Sequence, residues 1–107
     1  MKYLKFFENE QISKKLPNVG DYVLCDESFK TELNNFINNN IGKIIKIEHD
    51  SHITEYLVEY DLNLIPLGIK KYFIYNNRRL FIIDEITHHS DNKDDLELIL
   101  LSKKYNI

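Results

Sequence analysis

Apolar and polar positions alternate most regularly between residues 41 and 61. Ile41-Gly42-Lys43-Ile44-Ile45-Lys46-Ile47-Glu48-His49 is dominated by β-branched residues, and a period of two places Ile45 and Ile47 on one face. Asp50-Ser51-His52 is a break of hairpin length. Ile53 to Asp61 then carries Tyr56, Val58 and Tyr60 on one face and Glu55, Leu57 and Glu59 on the other. These two segments are predicted to be neighbouring antiparallel strands that curl around a shared interior. Upstream, Gly20-Asp21 opens a short strand, Tyr22-Val23-Leu24-Cys25. Asp26 or Ser28 is placed to cap a helix over 28–39, where Phe29, Leu33, Phe36 and Ile37 recur at i, i+4, i+7 and i+8. Asn38-Asn39-Asn40 ends that helix, since Asn tolerates left-handed geometry and competes for backbone hydrogen bonds.

The remaining pattern is more broken. Residues 1–18 read as a lead-in, with Tyr3, Leu4, Phe6 and Phe7 fitting either a short helix or an edge strand. Pro66 and Gly68 punctuate residues 62–77, and Lys71-Tyr72-Phe73-Ile74-Tyr75 fits a strand or an aromatic loop over the end of the sheet. Asn76-Asn77 reads as a turn, Arg78 to Ile83 as a strand, and Asp84-Glu85-Ile86 as one tight helical turn. Ser90 or Asp91 caps a last helix over 92–103. Asp94 and Asp95 near its start and Lys103 and Lys104 near its end complement the helix dipole. Leu96, Ile99 and Leu100 form its apolar stripe, which Leu98 and Leu101 widen, so it is expected to pack across the sheet or plug one end. The expected fold class is mainly β with helices (α+β): a strongly bent antiparallel sheet or small barrel, with a helical insertion after the first strand and a C-terminal helix. Residues 19–107 form the single domain.

Composition narrows the chemistry. The chain has 107 residues, one cysteine and a formal net charge of −3. A single cysteine excludes an internal disulfide and fits a reducing compartment, so a cytoplasmic location is expected. The charge argues against a general polyanion binder. The chain lacks Ala and Trp while Ile, Asn, Lys and Tyr abound, which is the mark of an AT-rich gene.

No arrangement of residues points to catalysis. Cys25 sits inside a strand, where it packs as a small apolar side chain. Gly20, Gly42 and Gly68 are too scattered for a phosphate loop. His49 and His52 flank a turn, and His88-His89 follows a strand as surface loop residues. Neither pair has the spacing of a metal site, and no cofactor or metal is expected. The acidic pairs Asp84-Glu85 and Asp94-Asp95 read as solvated charge. Tyr72, Phe73 and Tyr75 lie beside Lys70, Lys71, Arg78 and Arg79. Tyr and Arg are enriched at the energetic centres of protein interfaces, so Tyr72, Tyr75, Arg78 and Arg79 are the candidate partner-binding residues, with the exposed face of the hairpin at 41–61 beside them.

The order Val19-Gly20-Asp21-Tyr22-Val23-Leu24-Cys25, Ile41-Gly42-Lys43-Ile44-Ile45-Lys46-Ile47 and Tyr56-Leu57-Val58-Glu59-Tyr60-Asp61 resembles the opening strands of SH3-like small barrels of the Tudor and KOW type. The insertion at 26–40 takes the place of their long first loop. The tail from Asp84 to Asn106 is similar to the C-termini of short bacteriophage proteins of AT-rich composition. These resemblances imply a non-enzymatic protein-binding module, phage-encoded, that occupies a host protein such as a transcription factor or, in the manner of anti-CRISPR proteins, a defence factor in the host cytoplasm. The alternatives are a nucleic-acid-binding barrel, a structural metal protein and a virion component that forms homo-oligomers.

Overall fold

The computed structural model describes residues 15–27 and 30–105. The proposed lead-in helix or strand, Ser28, Phe29 and the last two residues lie outside them. Five strands form one antiparallel sheet: β1 (Tyr22–Cys25), β2 (Gly42–His49), β3 (Thr54–Glu59), β4 (Arg78–Phe81) and β5 (Ile86–Ser90). Helix α1 (Thr31–Asn38) follows β1, and helix α2 (Lys93–Tyr105) ends the chain. The strand order is β4-β3-β2-β1-β5.

That order forces the sheet to curl. β4 and β5 are opposite edges, and in a flat sheet four strand spacings would hold them about 19 Å apart. Only residues 82–85 join Phe81 to Ile86, and five Cα steps span at most about 17 Å. Ile83–Glu85 moreover forms a 3-10 turn, which shortens the reach further. The turn is pinned to the end of β1, where the Asp26 N–H donates to the Glu85 carbonyl at 2.8 Å.

The inner face of the curl is the core. Val23, Cys25, Ile44, Tyr56, Val58 and Phe81 are buried there. The expected pairing of Ile45 with Ile47 is corrected by a β-bulge. Ile44 pairs with Val58 but Lys46 pairs with Leu57, so Ile45 is the extra residue. The alternation changes phase across it, and Ile44 and Ile47 share the inner face instead. Bulges raise local twist, which helps β2 serve both halves of the bent sheet.

α1 covers one end of the core with Leu33, Phe36 and Ile37. It is entered from Lys30 in extended backbone rather than capped by Asp26. The asparagine run does end it, by side-chain donation rather than left-handed backbone. Asn39 Nδ2 donates to the Asn35 carbonyl and Asn40 Nδ2 to the Phe36 carbonyl, both at 2.7 Å, while Asn39 itself has φ −112. The broken segment 62–77 is mostly 3-10 helix, Leu62–Leu64 and Leu67–Tyr72, and closes the same end by burying Ile65, Ile69 and Phe73. Phe36, Tyr60 and Phe73 meet edge to face at centroid distances of 5.5 to 6.0 Å.

Helix α2 packs across β1 and β5 on the outer face, where Leu24 and Leu96 are buried. Its start is held by Asn92, whose Oδ1 accepts from the Asp94 N–H, rather than by Ser90 or Asp91. Ser90 instead bridges, accepting from the Asn92 N–H and donating to Asp95. His88 and His89 are not loop residues but neighbours in β5. Among the described residues no helix is long and apolar enough to cross a membrane.

Candidate functional site: the Tyr72–Arg79 turn

The four candidate residues divide into an inner and an outer pair. In β4, Arg79 pairs with Val58 and Phe81 with Tyr56, so period two turns Arg79 toward the core side with Phe81. There its guanidinium Nη2 donates to the Glu27 carboxylate at 2.9 Å and Nη1 to the Tyr72 carbonyl at 2.7 Å. Glu27 is buried, and its own N–H donates to Asn34 Oδ1 at 2.8 Å. One cation thus ties the start of the insertion to the 3-10 segment and to β4. Tyr72 lies half-buried at the end of that segment, under the Lys71 ammonium at 5.5 Å.

Arg78 and Tyr75 face out together. Arg78 pairs across the strands with Glu59, Nε donating to the carboxylate at 3.2 Å, and its guanidinium lies 5.7 Å from the Tyr75 ring centroid. Tyr75 is 80% exposed. Tyr75 and Asn76 form a tight turn with φ of 53° and 70°, closed by hydrogen bonds between Ile74 and Arg78. Tyr75 and Asn76 are the central residues of a four-residue turn in which the Asn77 N–H donates to the Ile74 carbonyl at 3.3 Å, and positive φ at both is the mark of a type I′ turn. Asn accepts that region readily; an aromatic residue does not.

Sequence reasoning missed Glu27 and Asn34 as partners of this segment. The usable signal was the two-residue step from Phe81 to Arg79: if Phe81 is core, so is the side of β4 that Arg79 occupies.

The other candidate chemistries do not assemble. Among the described residues no three His, Cys, Asp or Glu side chains are placed to share a metal ion. His49 Nδ1 lies 2.9 Å from Thr54 Oγ1, and His89 Nε2 lies 3.0 Å from the Lys15 carbonyl. The Asp50 carboxylate accepts from the His52 and Ile53 N–H groups, which holds its pKa below the usual range and fixes the β2–β3 turn. Cys25 is fully buried against Tyr60. Burial pushes its thiol up to about 12, so almost no thiolate exists at neutral pH. The Tyr60 hydroxyl faces it without a well-formed hydrogen bond, and burial raises the phenol's pKa as well. Labelling of Cys25 by a thiol reagent at pH 8 is therefore expected to follow global opening. Its rate should rise steeply with urea. Rapid stoichiometric labelling of the native protein would show that the sheet opens locally at β1.

The architecture is that of a small curled antiparallel-sheet domain with a C-terminal helix. The ribosome maturation factor RimM of Helicobacter acinonychis (strain Sheeba) is 35% identical over 81 residues, a stretch that makes up 74% of this chain and 44% of that relative. The chain thus spans less than half the length of the curated relative it matches. No family model matches the chain, and no solved structure matches it.

Proposed function

We propose that the chain is a non-catalytic binding module, an SH3-like small barrel that acts by occupying a partner protein at the tip formed by Tyr75 and Arg78. Tyr75 carries the reading. A bulky side chain is held at positive φ, which costs on the order of 1–2 kcal/mol, yet it stays 80% exposed and gains no burial in return. Strain at an exposed tip is a mark of recognition residues, and Tyr flanked by Arg is a common interface anchor. The order β4-β3-β2-β1-β5, the helical insertion after β1 and the 3-10 turn before β5 support the SH3-like assignment. The likeness to a ribosome maturation factor supports a partner that takes part in ribosome assembly. A phage-encoded role against a host transcription or defence factor is a second setting for the same surface, resting on composition and on the resemblance of the tail.

A nucleic-acid reading is favoured by one observation. Residues 62–83 contain Lys70, Lys71, Arg78 and Arg79 and no acidic residue. Two of these cations are already matched, Arg78 by Glu59 and Arg79 by Glu27, which weakens the phosphate-binding case.

Affinity capture from bacterial lysate, with and without nuclease, separates the readings. Nuclease-resistant capture of a protein is expected, and its loss in Tyr75→Gly combined with Arg78→Ala. Tyr75→Gly alone should also raise stability by up to about 1 kcal/mol, because glycine takes positive φ without a Cβ clash. Weakened capture by Tyr75→Gly alone, a variant at least as stable as wild type, excludes misfolding as the cause. Capture that survives the double variant would refute the assignment of this surface, and capture that vanishes with nuclease would favour nucleic acid.

A further inference from the structure

Helix α2 has two apolar faces, and only one is used. Leu96 is buried against the sheet, Ile99 and Leu100 are half-buried, and Lys103 on the same side reaches the Asn38 carbonyl at 3.4 Å. On the opposite face Leu98, Leu101 and Tyr105 are 65%, 49% and 61% exposed. Leu98 and Leu101 therefore do not widen the packed stripe, as their sequence spacing suggests, but begin a second one. With Asp94 they follow a 4-3-4 spacing, the repeat of a coiled-coil seam. Glu97 and Lys104, seven residues apart, run along one flank of that seam.

We propose that this face pairs with the same helix of a second copy, antiparallel about a two-fold axis. The charge pattern selects that occupant and that orientation. With Leu98 of one copy against Leu101 of the other, Glu97 falls beside Lys104 of the second copy, and the symmetry repeats the pair. Asp94 falls beside the Tyr105 hydroxyl, and the helix dipoles oppose. A parallel pairing would instead set Asp94 against Asp94 in the seam and leave Glu97 beside Ser102 of the second copy, with no ion pair formed. Three apolar side chains per copy fall well short of the roughly 800 Å² per partner of a standard interface. The association is accordingly weak, with a dissociation constant on the order of 100 µM. The face is separate from Tyr75 and Arg78, so the proposal stands or falls independently of the partner-binding reading.

Sedimentation equilibrium of the full chain from about 1 µM to several hundred micromolar tests it on the scale set by that affinity. Wild type is expected to pass from monomer to dimer. Leu101→Glu, at an exposed position, should weaken association at least tenfold with an unchanged far-UV spectrum. Lys104→Glu should weaken it, and the exchange Glu97→Lys with Lys104→Glu should restore it. Mixing Leu98→Cys with Leu101→Cys chains should give more oxidised heterodimer than either chain alone gives homodimer. A chain that stays monomeric throughout, whether a foreign protein or the chain's own first residues cover the face, would overturn the proposal. So would association that Leu101→Glu leaves intact.

Discussion

Replacing Arg79 by leucine is expected to cost about 3 kcal/mol of folding stability, a large share of the 5–15 kcal/mol that holds a domain of this kind. The guanidinium makes two charge-assisted hydrogen bonds, to Glu27 and to the Tyr72 carbonyl, on the core-facing side of β4. Both members of the ion pair are largely shielded from water. Leucine would fill part of the space and leave the Glu27 carboxylate buried without this cation, and a buried charge that loses its counter-charge is more costly than the pair is favourable. The double replacement Glu27→Leu with Arg79→Met removes both charges together and is expected to recover most of the loss. Denaturation in urea, followed by far-UV circular dichroism, reads each variant as a shift in midpoint at constant slope. A loss below about 1 kcal/mol for Arg79→Leu, the range of surface pairs, would mean that the bridge is no more than surface charge. Because the same cation joins the insertion to the segment leading into Tyr75, partner capture should fall with stability in the single variant and return in the double one.

The parts of this fold legible in the sequence are those where one periodicity dominates over several residues. Tyr56, Val58 and Tyr60 stand buried at period two, and the acidic start and basic end of α2 mark a helix whatever it packs against. The bulge at Ile45 was hidden because Ile44-Ile45-Lys46-Ile47 offers an isoleucine to the core in either phase. Strand β5 was hidden because Ile86-Thr87-His88-His89-Ser90 has a single strongly apolar residue, and its pairing with β1 comes from the other end of the chain. At the candidate site, adjacent arginines are alike to a reader of sequence and opposite in a strand. Arg78 turns out toward Tyr75, and Arg79 turns in toward an acid 52 residues away. Local pattern places such residues near the site; which of them are structural is decided by long-range partners that no local window contains.

Gly42→Ala is expected to be at least as damaging, by about 3 kcal/mol, near the upper end of what overpacking a core usually costs. Gly42 is the first residue of β2, buried between strands and paired with Val23 of β1. Its backbone lies so close to β3 that a Cβ there would overlap Val58 Cγ1 and sit 3.0 Å from the Tyr60 ring. Val58 is fully buried and the Tyr60 ring is wedged between Phe36 and Phe73, so neither can move aside without disturbing the core. The glycine is required here by close approach of two strands rather than by unusual backbone angles, which distinguishes it from Gly20 with its φ of 96°. The two explanations predict different rescues. If the overlap is with Val58, shortening that side chain should relieve it. Val58→Ala alone removes buried methyl groups and destabilises, yet in the Gly42→Ala background it should restore stability, a coupling of 1 kcal/mol or more, roughly within the range seen for residues in contact. Urea midpoints of the two single variants and the double variant measure that coupling directly. Additive losses would mean that the methyl group added at position 42 is accommodated without touching Val58, and the tight approach of β2 to β3 at the mouth of the curled sheet would have to be abandoned as the reason for a glycine at this position.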